Sequence, residues 1–79
     1  MRLTNRMVNF IVDIYERGYT TKKESTIGFP YYIIVWSLRD EGILKFKEIN
    51  ENNQKKWILT EKGLEIAKCL KRIKELIKV

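Results

Sequence analysis

Residues Arg39–Gly63 read RDEGILKFKEINENNQKKWILTEKG. The stretch opens where helical periodicity stops, at Gly42, a residue that ends helices because it accepts the left-handed backbone that other residues resist. Two short runs follow. Leu44 and Phe46 alternate with Lys45 and Lys47, and Trp57 and Leu59 alternate with Lys56 and Ile58, on either side of the polar tip Asn50–Gln54. Alternation of period two around a polar tip predicts an antiparallel hairpin over 43–59, with Phe46 and Trp57 paired on its inner face. Thr60 then stands before a new helical pattern as its N-cap, and Glu61 suits the positive end of that helix. The order is helix, hairpin, helix.

Working outward, the pattern predicts a third helix over 30–41. Pro30 occupies its first position, where no N–H is needed. Tyr31, Ile34, Val35 and Leu38 recur at i, i+3, i+4 and i+7, which makes one packed stripe. Upstream, Thr4 or Asn5 caps a first helix running to Arg17, stopped by Gly18; Met7, Phe10, Ile11 and Ile14 form its buried face, widened by Val8 and Tyr15. Between them, Thr21-Lys-Lys-Glu24 reads as a capping box opening a short helix over 22–27. After Thr60 the terminal helix spans 61–78, ~27 Å long.

This arrangement, with Leu-Thr-Glu-Lys-Gly at residues 59–63, resembles the winged helix-turn-helix proteins. The likeness covers nearly the whole chain and is strongest over Leu38–Gly63. Small archaeal and archaeal-virus regulators, and dimeric repressors with a Leu-Thr-x-Lys-Gly junction after the wing, are the most similar. It implies an α+β fold: a three-helix core, a two-stranded β wing and a C-terminal dimerisation helix, in one domain over 1–79. It also implies double-stranded DNA as partner and transcription regulation as role, but points to no small-molecule effector.

Composition sets bounds beside that resemblance. A chain of 79 residues makes one small domain that buries only about 60% of its unfolded surface, so dimerisation is an expected source of extra core. One cysteine and no histidine leave neither a disulfide framework nor a zinc site, and the usual general base of enzymes is missing. Asp40 and Glu41 are adjacent on a helix and point about 100° apart, so they do not form a carboxylate pair. No glycine-rich phosphate loop is present. We expect no enzymatic activity, no cofactor and no metal. The longest apolar stretch, Tyr31–Trp36, is far below the roughly 20 residues of a membrane span, and Met1–Phe10 lacks the apolar centre of a signal peptide, so a cytoplasmic, soluble protein is expected.

The formal net charge of +6 suits phosphate contacts. The excess lies in the wing and the last helix: Lys45, Lys47, Lys55 and Lys56 outnumber Glu48 and Glu51, whereas residues 18–42 are balanced. Candidate DNA contacts on the third helix are Phe29, Tyr32, Ile33, Trp36, Ser37 and Arg39, the positions turned away from the packed stripe. The resemblance places base reading at Tyr32, Ile33, Trp36 and Ser37. Base readers usually carry Arg, Lys, Asn, Gln, Ser or Thr, because these hydrogen-bond base edges. This chain offers aromatic and aliphatic groups instead, suited to thymine methyls. The same face would equally suit a protein partner, and both readings stand at this point. Lys22 and Lys23 are candidate backbone contacts. On the wing, Lys45, Lys47, Asn52, Asn53, Gln54, Lys55 and Lys56 are placed to meet phosphates or the minor groove, unless the lysines only protect a hairpin edge.

In the terminal helix, Ile66, Leu70, Ile73 and Ile77 repeat with alternating steps of four and three. Leu64 and Ile66 are expected on the domain's own core. With Leu76 added, Ile66, Leu70, Ile73 and Ile77 form the expected homodimer seam. Cys69 lies off it, with an intersubunit disulfide as a minor alternative. A two-fold dimer would present two reading helices to half-sites about 34 Å apart.

Overall fold

A computed structural model describes residues 3–25 and 30–77. The chain is α+β, with three helices and one two-stranded antiparallel sheet among the described residues: α1 (Asn5–Arg17), α2 (Tyr31–Asp40), β1 (Leu44–Ile49), β2 (Lys55–Leu59) and α3 (Glu61–Leu76). The layout is compatible with a winged-helix arrangement. None of these helices is long and apolar enough to cross a membrane.

Local chemistry sets most boundaries. The Thr4 hydroxyl accepts from the Met7 amide at 3.2 Å and starts α1. Gly18, with φ of 90°, ends it by donating to the Ile14 carbonyl at 2.7 Å. Pro30 is the N-cap of α2 and not its first helical residue, and no side chain among the described residues caps that end. The other end closes with two reverse bonds, Ile43 N–H to Leu38 C=O at 2.8 Å and Gly42 N–H to Arg39 C=O at 2.9 Å. This paired ending needs a left-handed residue, which Gly42 supplies at φ of 75°.

The expected helix over 22–27 is not formed in its described part: Lys22–Glu24 make a turn, and residues 26 and 27 lie outside the described residues. Half of the capping box is present, since the Thr21 hydroxyl accepts from the Glu24 amide at 3.2 Å. The Glu24 carboxylate does not reach back, because it is held by the Tyr19 hydroxyl and the Arg17 guanidinium. The backbone just before is also committed elsewhere. Thr20 exchanges hydrogen bonds with Trp57 at 2.9 and 3.0 Å, a one-residue third strand beside β2.

The core draws on four parts of the chain: Phe10, Ile11 and Ile14 from α1; Tyr31, Ile34, Val35 and Leu38 from α2; Ile43, Leu44, Trp57 and Leu59 from the wing; and Ala67 from α3. Each large side chain so buried contributes roughly 1.5–3 kcal/mol, a substantial share of stability in a domain this small. Phe46 does pair with Trp57, edge to face at 5.8 Å, but it stays half exposed, not on the inner face. A bulge between Phe46 and Glu48 bends β1 there and leaves Lys47 without an opposite number.

The Leu-Thr-Glu-Lys-Gly junction ties α3 to the end of α2. The Thr60 hydroxyl accepts from the Gly63 amide at 3.0 Å and donates to the Gly42 carbonyl, while the Thr60 amide donates to Ile43 at 3.0 Å. Lys62 Nζ donates to the Glu41 carbonyl at 2.8 Å, covering an otherwise open helix end. Gly63 is there for space: a Cβ would fall inside van der Waals contact with the Ile43 carbonyl oxygen and 3.2 Å from Leu59 Cδ2. Along its length α3 is latched to α1 by Lys74 to Asn9 at 2.8 Å and Lys71 to Glu16 at 3.5 Å.

Candidate nucleic-acid interface

The outward face of α2 is apolar and solvent-facing. Tyr32, Ile33 and Trp36 are 40%, 61% and 48% exposed, while Tyr31, Ile34, Val35 and Leu38 on the opposite face are buried. Spacing of four residues brings Tyr32 and Trp36 together, with ring centroids 5.8 Å apart and planes inclined by 30°. Lys22, from the turn after α1, lies over the Tyr32 ring at 5.3 Å, a cation–π contact that fixes the ammonium beside the helix start. Ser37 is partly buried and Arg39 is exposed. The Arg39 guanidinium is already engaged by Asp40, through Nε at 3.3 Å and Nη2 at 3.2 Å.

The wing tip is held in one shape by Asn50. Its side-chain oxygen accepts from the amides of Asn52 and Gln54, each at 2.9 Å, while the backbone closes with Asn50 N–H to Gln54 C=O at 2.8 Å. Asn53 sits at φ of 60°, a left-handed conformation that asparagine tolerates better than most residues. The sequence pattern places Asn50 in the tip expected to reach phosphates or the minor groove, but does not give it this structural role. The signal was available, since Asn side chains commonly hydrogen-bond backbone amides two residues on.

Between the start of α2, the Lys22–Glu24 turn and this tip lies a cleft of about 440 Å³. It is lined by Lys22, Lys23, Tyr31, Tyr32, Asn53, Gln54, Lys55 and Trp57. Six of these were expected to contact DNA. Among the described residues no carboxylate lines the cleft, and none of its three lysines is in an ion pair. Tyr31 and Trp57 were expected only as core. Each is more than nine-tenths buried, and the Tyr31 hydroxyl and Trp57 Nε1 have no hydrogen-bond partner among the described residues. Burial pushes the Tyr31 hydroxyl up to about 12; Thr20 opposes the shift, without a hydrogen bond of ordinary geometry. At neutral pH both groups are therefore N–H or O–H donors.

The remaining candidates divide among other surfaces. Lys47 lines a separate depression with Tyr15, Gly18, Ile58 and Leu64. Lys56 stacks over Tyr19 at 4.4 Å. Lys45 and Asn52 are exposed, and Phe29 lies outside the described residues. On α3, Ile66 and Leu70 are partly buried against the chain's own core, whereas Ile73, Leu76 and Ile77 are 51%, 71% and 72% exposed. Leu64, expected on the core, is 40% exposed instead. The axis of α3 runs along α1, so it is Ile66, Ala67 and Leu70 that turn inward. Cys69 is a free, exposed thiol, and no group of three metal-binding side chains occurs among the described residues. No family model, curated protein or solved structure matches this chain.

Proposed function

We propose that the chain is a winged helix-turn-helix protein that binds double-stranded DNA as a homodimer and regulates transcription. The observation that carries this reading is the position of the α2 outer face beside the cleft: exposed Tyr32, Ile33 and Trp36 adjoin three lysines that have no acidic neighbour in the cleft wall. Apolar contact to thymine methyls and phosphate contact by lysines are complementary tasks, the first selecting sequence and the second setting affinity and register. Ile73, Leu76 and Ile77 at the end of α3 supply the apolar stripe through which two copies would associate.

A second reading is favoured by the same face. Ile33 carries no hydrogen-bonding group and Trp36 only a single indole N–H, so neither makes the bidentate contact that reads a purine edge, and α2 would instead dock a protein partner. The two readings part on one variant. Trp36→Ala is expected to weaken specific duplex binding by about 1–2 kcal/mol in fluorescence anisotropy while sedimentation still reports a dimer. If the variant becomes monomeric with duplex affinity unchanged, α2 is a protein interface.

A further inference from the structure

We propose that the cleft between the start of α2 and the wing tip is a binding pocket for a phosphate ester. Its contents point to an anion. Lys22, Lys23 and Lys55 bring three positive charges with no carboxylate in the lining, which excludes a cation and disfavours a neutral apolar ligand. The uncapped N-terminus of α2 adds its positive end, since Tyr31 and Tyr32 belong to its first turn and Pro30 provides no side-chain acceptor.

The independent observation is the pair of unsatisfied donors. A buried polar group without a partner costs about 1–3 kcal/mol, and folded proteins rarely retain two in one wall. The Tyr31 hydroxyl and the Trp57 indole N–H belong to residues that line this cleft, and both donate and neither is a cation. Phosphate oxygens accept from ammonium, hydroxyl and indole N–H alike, so one phosphate group would bridge the lysines of the turn and of the wing, and a small shift of the wall would bring it to the Tyr31 hydroxyl and the Trp57 indole N–H, which lie just behind it. The volume of about 440 Å³ exceeds what a lone phosphate needs and falls in the range of small-molecule sites. Aromatic walls from Tyr32 and Trp57 suit the organic part of an ester. Asn50, which fixes the wing tip through two amides, keeps this wall preformed. The ester is either a free phosphorylated small molecule or the backbone of DNA, and the assignment does not rest on the DNA reading.

The test follows the indole N–H resonances of the full chain by ¹H–¹⁵N NMR during titration with inorganic phosphate, adenosine monophosphate and adenosine, at constant ionic strength, and separately with a duplex. The Trp57 indole is expected to move saturably with phosphate and with the monophosphate but not with adenosine. Lys22→Gln with Lys55→Gln should weaken this by about tenfold or more. Tyr31→Phe removes an unpartnered hydroxyl, so it should keep the fold and still weaken phosphate binding about threefold or more. Displacement of the duplex by the monophosphate assigns the pocket to a DNA phosphate, and simultaneous binding assigns it to a free ester. A Trp57 resonance that stays still in every titration, or moves equally in the double lysine variant, overturns the proposal. Duplex binding with a stationary Trp57 overturns the pocket alone; monophosphate binding without any duplex binding overturns the DNA reading alone.

Discussion

At its C-terminal end α2 is closed. Leu38 and Arg39 receive amides from Ile43 and Gly42, Glu41 receives Lys62, and Thr60 bonds both to the preceding turn and to the start of α3. At its N-terminal end, ten residues earlier, no side chain among the described residues caps the helix. Two buried donors there lack acceptors, and three lysines lack counter-charges in the cleft wall. The difference teaches where each kind of chemistry belongs in a domain this small. Satisfied backbone groups fix the angle between helix and wing, and the unsatisfied donors collect at the other end, behind the wall of the proposed pocket.

The largest expected effect breaks the closed end. Gly63→Ala drives a Cβ into the Ile43 carbonyl, and because the obstacle is backbone, relief requires moving α3 away from the wing. We expect a loss of about 3 kcal/mol or more, measured by urea unfolding, enough to unfold much of a marginal domain. Retention of stability would mean that the junction is looser than its hydrogen bonds imply. Thr60→Ala is milder. It removes the N-cap of α3 and the bond to Gly42 without adding bulk, for a loss of about 1–2 kcal/mol in the same assay.

The open end should respond differently. Tyr31→Phe deletes a buried hydroxyl that has no partner, so its stability at neutral pH should equal or slightly exceed that of the parent. Alkaline pH then separates the two. The Tyr31 hydroxyl ionises near its ordinary value of 10.0 in the unfolded chain and near about 12 in the folded one. Its stabilising contribution is thus complete below about pH 10 and is lost as pH rises toward 12, by ~1–2 kcal/mol. The phenylalanine variant should lack that component of the decline in alkaline unfolding curves. Identical curves would mean that the hydroxyl is more hydrated than its burial indicates.

The closed end was legible in the sequence and the open end was not, for a physical reason. Gly42, Thr60 and Gly63 act through caps, turns and close approaches, whose chemistry is local and whose residue types are few. Likewise Met7, Phe10, Ile11 and Ile14, and the Tyr31–Leu38 stripe, announce burial by spacing alone, and all of them are buried. The Thr20–Trp57 bridge joins single residues 37 positions apart and has no periodicity to betray it. Its consequence was missed with it: a chain tied to β2 at Thr20 makes a turn where a capping box promised a helix. Glu24 shows the same competition, since its carboxylate is taken by Tyr19 and Arg17. The cleft draws its lining from three segments, so its lysines could be nominated one by one but not assembled. The apolar residues of α3 were legible from their spacing, yet their division between the core and the exposed stripe depended on how the helix lies across α1.

Titration of a fluorescent mixed-sequence duplex at several salt concentrations decides whether the α2 face and its neighbouring cleft bind DNA. The account predicts micromolar affinity that falls linearly in log–log form with salt, with a slope reduced by about two in the Lys22→Gln, Lys55→Gln double variant. Anisotropy that stays flat at low salt, or a slope untouched by removing both lysines, would contradict it.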